Sequence, residues 1–356
     1  MLLALRRVQP ARCGLVHVYH LSCGRSTWPL QFGQVKAWIR RSLFPVVTLG
    51  SMLIGCSSTP APLDEGRTRG TKSLPAGVFE FGVVGDAPYD EEEAKIMQDL
   101  IKEMNEAPLA FVVHIGDIHS GTTPCTDQAY RSTARRFSEF EDPVIYTPGD
   151  NDWMDCERTG FRPRERLRFL RQMFFIGRDV LGGGSLEVER QSQVYPENAR
   201  WVYNDLVFVA VHNVGGNNNR DADAAEYMPR NEANLGWLRE SFELARSRRS
   251  RGLVVATHAD PGFERHRPQA GYRDLLELLA TESRSFDGEV LLIHGDTHFY
   301  RVDQPLVDRD KGRIIPNFTR VETFGSPDVG WVRVTVDARS DDPFAVRPER
   351  VASSLL

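Results

Sequence analysis

Apolar and polar positions alternate in blocks along most of this chain. Residues 78–84 form a short apolar-rich run, and residues 109–115 a continuous one of the kind a buried strand makes. Between them, residues 92–104 set Ile96, Met97, Leu100, Ile101 and Met104 on one helical stripe, with Asp90 and Glu93 as a capping box. A helix around residues 129–140 and a strand over 144–147 follow. This strand–helix–strand–helix–strand rhythm predicts parallel pairing with helices on the sheet faces.

The second half opens with a hairpin, residues 201–203 and 206–211, turning at Asn204-Asp205. A helix then carries Leu235, Leu238, Phe242 and Ala245 on one side, and strands 253–257 and 290–293 flank a helix over 275–279. Strands 321–324 and 331–336 close the pattern. In the last, Val332, Val334 and Val336 alternate with Arg333 and Thr335, so one face is dry and one wet. Residues 182–192 and the run Gly215 to Arg220 read as surface loops, residues 246–251 as a solvated helix end, and residues 339–356 as a polar tail. No internal repeat or heptad pattern stands out.

Charge is unevenly spread over the 356 residues. The first 55 carry seven basic side chains and no acidic one, which leaves 37 basic against 49 acidic in the rest. A body this acidic is not a nucleic-acid-binding surface, where basic charge supplies the affinity. Arg40 and Arg41 precede an uncharged stretch, 42–55, that ends at Cys56. That stretch is shorter than the ~20 residues a membrane-spanning helix needs, but it suits a signal-peptide core. Leu53-Ile54-Gly55-Cys56 resembles the lipobox of bacterial lipoproteins, which implies cleavage before Cys56 and lipidation of its thiol. The expected order is an upstream leader (1–34), a signal peptide (35–55), a flexible tether (56–77), one domain (78–338) and the tail. The implied location is the cell envelope, lipid-anchored and facing the periplasm, most simply at the outer membrane. In that oxidising compartment, Cys125 and Cys156, the two cysteines of the body, are expected to form a disulfide.

The chemistry gathers where strands stop. The four Gly-Asp dipeptides of the chain, Gly85-Asp86, Gly116-Asp117, Gly149-Asp150 and Gly295-Asp296, each follow a predicted strand, a fifth strand ends at His258, and His298 comes two residues after Asp296. Ligand groups of open α/β sheets collect at strand carboxyl ends. Taken singly, a strand-end aspartate is a turn or a cap. Four converging carboxylates repel one another unless protonated or neutralised, and two divalent cations would neutralise them.

In this order the blocks, with Pro148-Gly149-Asp150-Asn151-Asp152-Trp153 and Thr257-His258 among them, resemble the calcineurin-like metallophosphoesterase family from residue 78 to about 324. The resemblance implies an α/β fold, a two-sheet αββα sandwich, and a metal-dependent phosphoester hydrolase with a two-metal site and a bridging hydroxide. Carried over residue by residue, Asp86 ligates one metal, Asp117 bridges, Asp150 takes the family's asparagine position, and His258 ligates the second. Asp296 and His298 match the last block, with His294 as the alternative to Asp296. Two blocks depart from the family: Ala87-Pro88 removes a first-block histidine, and Asn151 stands where a histidine is usual. His119 is the substitute ligand or acid, or else a plain surface histidine. Asn151, Asn213 and Arg220 are expected to hold the phosphoester substrate. An oxygen-rich set of this kind suits Mn, Fe or Mg as well as Zn. The alternative is a catalytically silent envelope lipoprotein that binds metal or phosphate.

Overall fold

The computed structural model describes residues 74–308 and 311–351. The expected leader, signal peptide, Cys56 and most of the tether lie outside the described residues. Among the described residues, no helix is long and apolar enough to cross a membrane.

The strands run in chain order as β1 (Val78–Val84), β2 (Leu109–His114), β3 (Pro143–Tyr146), β4 (Leu181–Gly182), β5 (Glu189–Arg190), β6 (Ala199–Tyr203), β7 (Leu206–Ala210), β8 (Gly252–Ala256), β9 (Glu289–His294), β10 (Arg301–Asp303), β11 (Val307–Asp308), β12 (Arg313–Ile314), β13 (Phe318–Glu322), β14 (Gly330–Asp337) and β15 (Phe344–Arg350). The longer helices are α1 (Glu91–Glu106), α2 (Asp127–Phe137), α3 (Pro163–Phe174), α4 (Ala224–Arg248) and α5 (Arg273–Arg284). One sheet has the order β15-β14-β1-β2-β3-β4, the other β10-β13-β9-β8-β7-β6-β5, and β11 pairs with β12 alone. Within them β1, β2 and β3 are mutually parallel, as are β7, β8, β9 and β13.

Two-residue periodicity decides which core each side chain enters. Phe111, Val113 and Ile115 face the interior between the sheets, together with Phe208, Ala210, Leu291, Ile293, Val332 and Val334. On the other face of the first sheet, Val112 and, across a register shift at the start of β2, Leu109 meet Met97, Leu100 and Met104 of α1. On the second sheet, Val207, Val209, Leu253 and Val255 meet Leu238 and Phe242 of α4 and Leu279 of α5. The result is a four-layer α/β sandwich, the expected fold class. Both parallel sets end at the same edge of the sandwich.

Several local expectations change. Asp90 caps α1, accepting from the N–H groups of Glu92 and Glu93, both at 2.9 Å. Glu93 does not reach back to Asp90: its carboxylate accepts from Tyr89 N at 2.7 Å and Ser326 Oγ at 2.5 Å. The hairpin forms as read, with Asn204 and Asp205 at φ 45° and 65°, the paired left-handed residues a two-residue turn needs. The run Gly215 to Arg220 is not simply a surface loop. Gly216, Asn217, Asn218 and Asn219 make a left-handed turn that buries Asn218 and Asn219. Asn218 Oδ1 accepts from the buried Arg230 at 2.7 Å. Residues 344–350, placed by the sequence in a polar tail, form β15, whose edge position tolerates Pro348.

Candidate metal centre

Five strand ends deliver the expected residues to one place. Asp86 follows β1, Asp117 follows β2 and Asp150 follows β3 in the first sheet. His258 follows β8, and Asp296 and His298 follow β9, in the second. Asp86, Asp117, Asp296 and His298 have φ of 54°, 51°, 73° and 65°. Non-glycine residues rarely adopt this left-handed conformation, and when they cluster they mark sites where surrounding contacts hold strain in place. The preceding glycines keep the space open: a Cβ on Gly149 would collide with the Asp117 carboxylate, and one on Gly295 with that of Asp86.

His258 is the hub. Its Nδ1 donates to the Ile115 carbonyl at 2.9 Å, across from one sheet to the other. That leaves Nε2 facing Asp150 Oδ1 at 3.0 Å, Asp117 Oδ1 at 3.5 Å and Asp296 Oδ1 at 3.9 Å. His298 repeats the arrangement. Its Nδ1 donates to the Ser326 carbonyl at 2.6 Å, and its Nε2 lies 3.7 Å from Asp86 Oδ1. Backbone carbonyls that take the Nδ1 proton and leave Nε2 free are the usual orienting partners of metal-binding imidazoles. Two groups of donor atoms, from Asp86, Asp117 and His258 and from Asp150, His258 and Asp296, each lie within 4.8 Å of one another. Asp86 and His258 are wholly buried, whereas the side chains of Asp296 and His298 are 27 % and 25 % exposed, so the cluster opens on that side.

The electrostatics fit a missing positive charge. Burial, with the neighbouring carboxylates adding to it, pushes Asp86 up to about 8 and Asp117 well above the ordinary range, against the pull of His258. Burial and Asp150 raise Asp296 to about 6, again against His258. Burial also acts on Asp150, but its hydrogen bond to His258 outweighs this and holds it below the usual value. The same carboxylates hold His258 well above its ordinary value, although burial opposes its charge. A single imidazolium is therefore the only cation facing four carboxylates among the described groups. Four oxygen donors and two oriented imidazole nitrogens match hard or borderline divalent cations, and these residues fit such ions.

Asp152, quoted in the sequence motif but given no role, holds the cluster from behind. Its buried carboxylate accepts from Asp117 N (3.0 Å), Ile118 N (2.7 Å), Gly149 N (2.7 Å) and Tyr146 Oη (2.7 Å). Tyr89 was also assigned no site role. Its hydroxyl donates to Asp117 Oδ2 at 3.1 Å, accepts from Asn151 Nδ2 at 3.1 Å and lies 3.3 Å from His298 Nε2. Burial and the Asp117 carboxylate raise the phenol, so it keeps its proton. Arg158 is a further residue without a role in the sequence reading. Asp155 holds it at 2.7 Å, and its guanidinium and the Asn151 amide oxygen flank the same side of Gly121.

The remaining expected residues spread out. Asn151 sits within the cluster, its N–H on Asp117 Oδ1 at 3.0 Å. His119 is buried, its Nδ1 3.1 Å from the Ser120 carbonyl and its ring 6.0 Å from that of Tyr130, while Nε2 has no hydrogen-bond partner. Asn213 is buried beside Asn218 and Asn234, its amide nitrogen unpartnered. Arg220 is 45 % exposed and pairs with Asp221 at 3.1 Å, away from the cluster's contacts. His294 lies at the end of β9 with Nδ1 3.1 Å from the Gly295 carbonyl, outside both donor groups. Cys125 and Cys156 pair as a disulfide, Cα atoms 5.6 Å apart, and tie the loop after Asp117 to the turn after Asp150.

No family model matches the sequence, and no curated protein matches it. Solved structures that resemble the chain include a dimetal phosphatase from Danio rerio, at 13 % identity and TM-score 0.48 over 77 % of this chain and 96 % of that one. GAP50, the anchor in the inner membrane complex of Plasmodium, is similar at 12 % identity and TM-score 0.45, over 77 % and 89 %. A purple acid phosphatase from yellow lupin is similar at 13 % and 0.43, over 78 % of this chain and 55 % of its own. At these identities the likeness concerns the path of the chain alone.

Proposed function

We propose that this chain is a metal-dependent phosphoester hydrolase. The observation that carries the reading is the donor set itself: four strand-end carboxylates meet two imidazoles whose Nδ1 protons are already taken by backbone carbonyls. Asp86, Asp117, Asp150, His258, Asp296 and His298 would hold two divalent cations, Mn, Fe, Mg or Zn. Such ions, when bound, neutralise a phosphoryl group and make an attacking water more acidic.

The chain's own side chains supply the rest. Asn151 and Arg158, which flank Gly121, bind phosphoryl oxygens, Arg158 held in place by Asp155. Tyr89 orients the Asn151 amide and keeps Asp117 aligned through its hydroxyl. In this reading His119 is the acid: with one proton on Nδ1 facing the Ser120 carbonyl, it must be the imidazolium to give a second from its unpartnered Nε2 to the leaving oxygen, and is left neutral. Asn213 and Arg220 are the further proposed substrate contacts, the first buried beside Asn218 and Asn234 and the second paired with Asp221. Two features favour the catalytically silent alternative: Asn151 cannot release a proton, and Ala87-Pro88 offers no ligand. Hydrolysis of an aryl phosphate with Mn²⁺, with and without chelator, alongside elemental analysis of periplasmically folded protein, separates the two. Turnover lost on chelation supports the hydrolase. Bound metal with no turnover under any divalent ion supports the binding protein.

The charge pattern before Cys56 and the lipobox-like Leu53-Ile54-Gly55-Cys56 support a lipid-anchored envelope protein facing the periplasm. Its contact with the membrane is then the lipid alone, and its partner a phosphorylated small molecule. Intact mass of the membrane fraction should show a diacylglyceryl addition that Cys56→Ser abolishes.

A further inference from the structure

A cavity of about 660 Å³ opens beside His298. Its walls include His298, Phe299, Tyr300, Phe324, Pro327 and Arg350. The aromatic part is already layered: Tyr300 lies on Phe324 with ring centroids 4.8 Å apart and planes 14° from parallel. The Arg350 guanidinium covers Phe324 at 5.0 Å and reaches Asp328 at 3.6 Å. Phe299, the residue directly after His298, is 71 % exposed.

An isolated exposed phenylalanine means little, but one that edges a cavity continuous with a ligand cluster is different. His298 belongs to both, since its Nε2 lies 3.7 Å from Asp86 Oδ1 while the residue lines the cavity. The cluster is also open on this side, through Asp296 and His298. A phosphoester whose phosphoryl group sits at the cluster therefore has this cavity next to its ester substituent. Phe324 is itself buried beneath Tyr300 and Arg350, so the ring surfaces left to a substituent are those of Phe299 and Tyr300: a polyol would leave them uncovered, whereas a flat ring would stack on them.

We propose that this cavity is a subsite for a planar aromatic substituent of the phosphoester, either a nucleobase or a simple aryl ring. The proposal rests on the phosphoester reading of the neighbouring cluster. Phe299 supplies the exposed outer face, and Tyr300, backed by Phe324, supplies the inner one.

Leaving-group strength confounds rates with aryl esters, so the test separates binding from turnover. With Mn²⁺ present, the full chain is titrated with phenylphosphonate and with butylphosphonate, neither of which can be hydrolysed. Phenylphosphonate is expected to bind about tenfold more tightly, the ordinary range for one ring stacked on an aromatic side chain. The ratio should fall to about two in Phe299→Ala, which removes a mostly solvated side chain, and return in Phe299→Trp. A ratio near one in the wild type, or one that Phe299→Ala leaves unmoved, overturns the subsite. Turnover of adenosine 5′-monophosphate, phenyl phosphate and glycerol 3-phosphate then tells the nucleobase from the aryl source. If nothing is turned over while the phosphonate ratio holds, the hydrolase reading falls and the subsite stands. Turnover of all three with a phosphonate ratio near one removes the subsite and leaves the hydrolase.

Discussion

His258, at the end of a strand in one sheet, donates its Nδ1 proton to the carbonyl of Ile115, at the end of a strand in the other, over 2.9 Å. This single bond joins the two sheets at their common edge and fixes which ring nitrogen faces the carboxylates. Both groups of donor atoms contain His258. His258→Ala is therefore expected to remove both metals, whereas Asp296→Asn, which touches one group, should leave about one per chain. Elemental analysis after dialysis reads the difference directly. Loss of activity in His258→Ala should be at least about hundredfold, since altering even the outer partners of metal ligands costs ten- to hundredfold.

Asp152 makes a stability prediction distinct from a catalytic one. Its carboxylate accepts three backbone N–H groups and the Tyr146 hydroxyl, all in the interior. Asparagine has the same shape, but its amide end would point N–H groups at donors. Oδ2 takes three of the four donors and Oδ1 only Ile118 N, so an asparagine with its nitrogen at the Oδ1 place strands that one donor; a buried donor without an acceptor costs about 1–3 kcal/mol, and Asp152→Asn should lose about that much. Thermal denaturation measures this. A change in stability below about 1 kcal/mol would contradict the bracing role.

Much of the site was legible because the chemistry sits at strand ends, and strands announce themselves as apolar runs. Gly85-Asp86 and Gly295-Asp296 were visible for that reason, as was the alternation of Val332, Val334 and Val336. Asp152, Tyr89 and Arg158 were not, because their roles depend on contacts 28 or more residues away or on the fold of a loop. Tyr89 completes a visible Gly-Asp-x-x-Tyr pattern, but its role shows only once Asp117 and Asn151 stand around its hydroxyl. The helix α3 was missed because its buried face includes Arg166, which lies over Phe169 at 5.0 Å and breaks the apolar stripe. Strand β15 hid behind Pro348 and its charged neighbours. Asn218 and Asn219 looked like solvent residues because asparagine in a glycine-rich run usually is one; here their tolerance of positive φ was the informative property.

The Cys125–Cys156 pair closes a sequence separation of 31 residues. Loop-closure entropy for that length corresponds to about 3–4 kcal/mol of stability. The double variant Cys125→Ser/Cys156→Ser should unfold at correspondingly lower urea concentration. The loops it ties carry Asn151 and lie next to Asp117, so substrate affinity should weaken in the same variant even well below its unfolding midpoint. A variant with wild-type stability and affinity would show that neither loop depends on the crosslink.

Glu197 and His212 set the acid limit. Trp153 Nε1 can only donate, and it meets His212 Nε2 at 3.1 Å, so the neutral ring carries its proton on Nδ1 and gives it to Glu197 at 2.9 Å. Burial alone would raise the Glu197 carboxyl, but the His212 hydrogen bond and the Arg171 charge overcome it and hold Glu197 at about 2. Burial keeps His212 below its ordinary value despite the attraction of Glu197. Both groups therefore take up protons more readily in the unfolded chain, so stability falls as pH drops. For Glu197 the contribution is complete above about pH 4.5 and disappears as pH falls towards 2, a total of about 3 kcal/mol. In Glu197→Gln that term is absent at every pH. The stability difference between wild type and variant, measured by urea unfolding of metal-loaded protein, should therefore shrink steadily from pH 5 down to the acid transition. A difference that stays constant over that range would mean Glu197 is not the group that titrates.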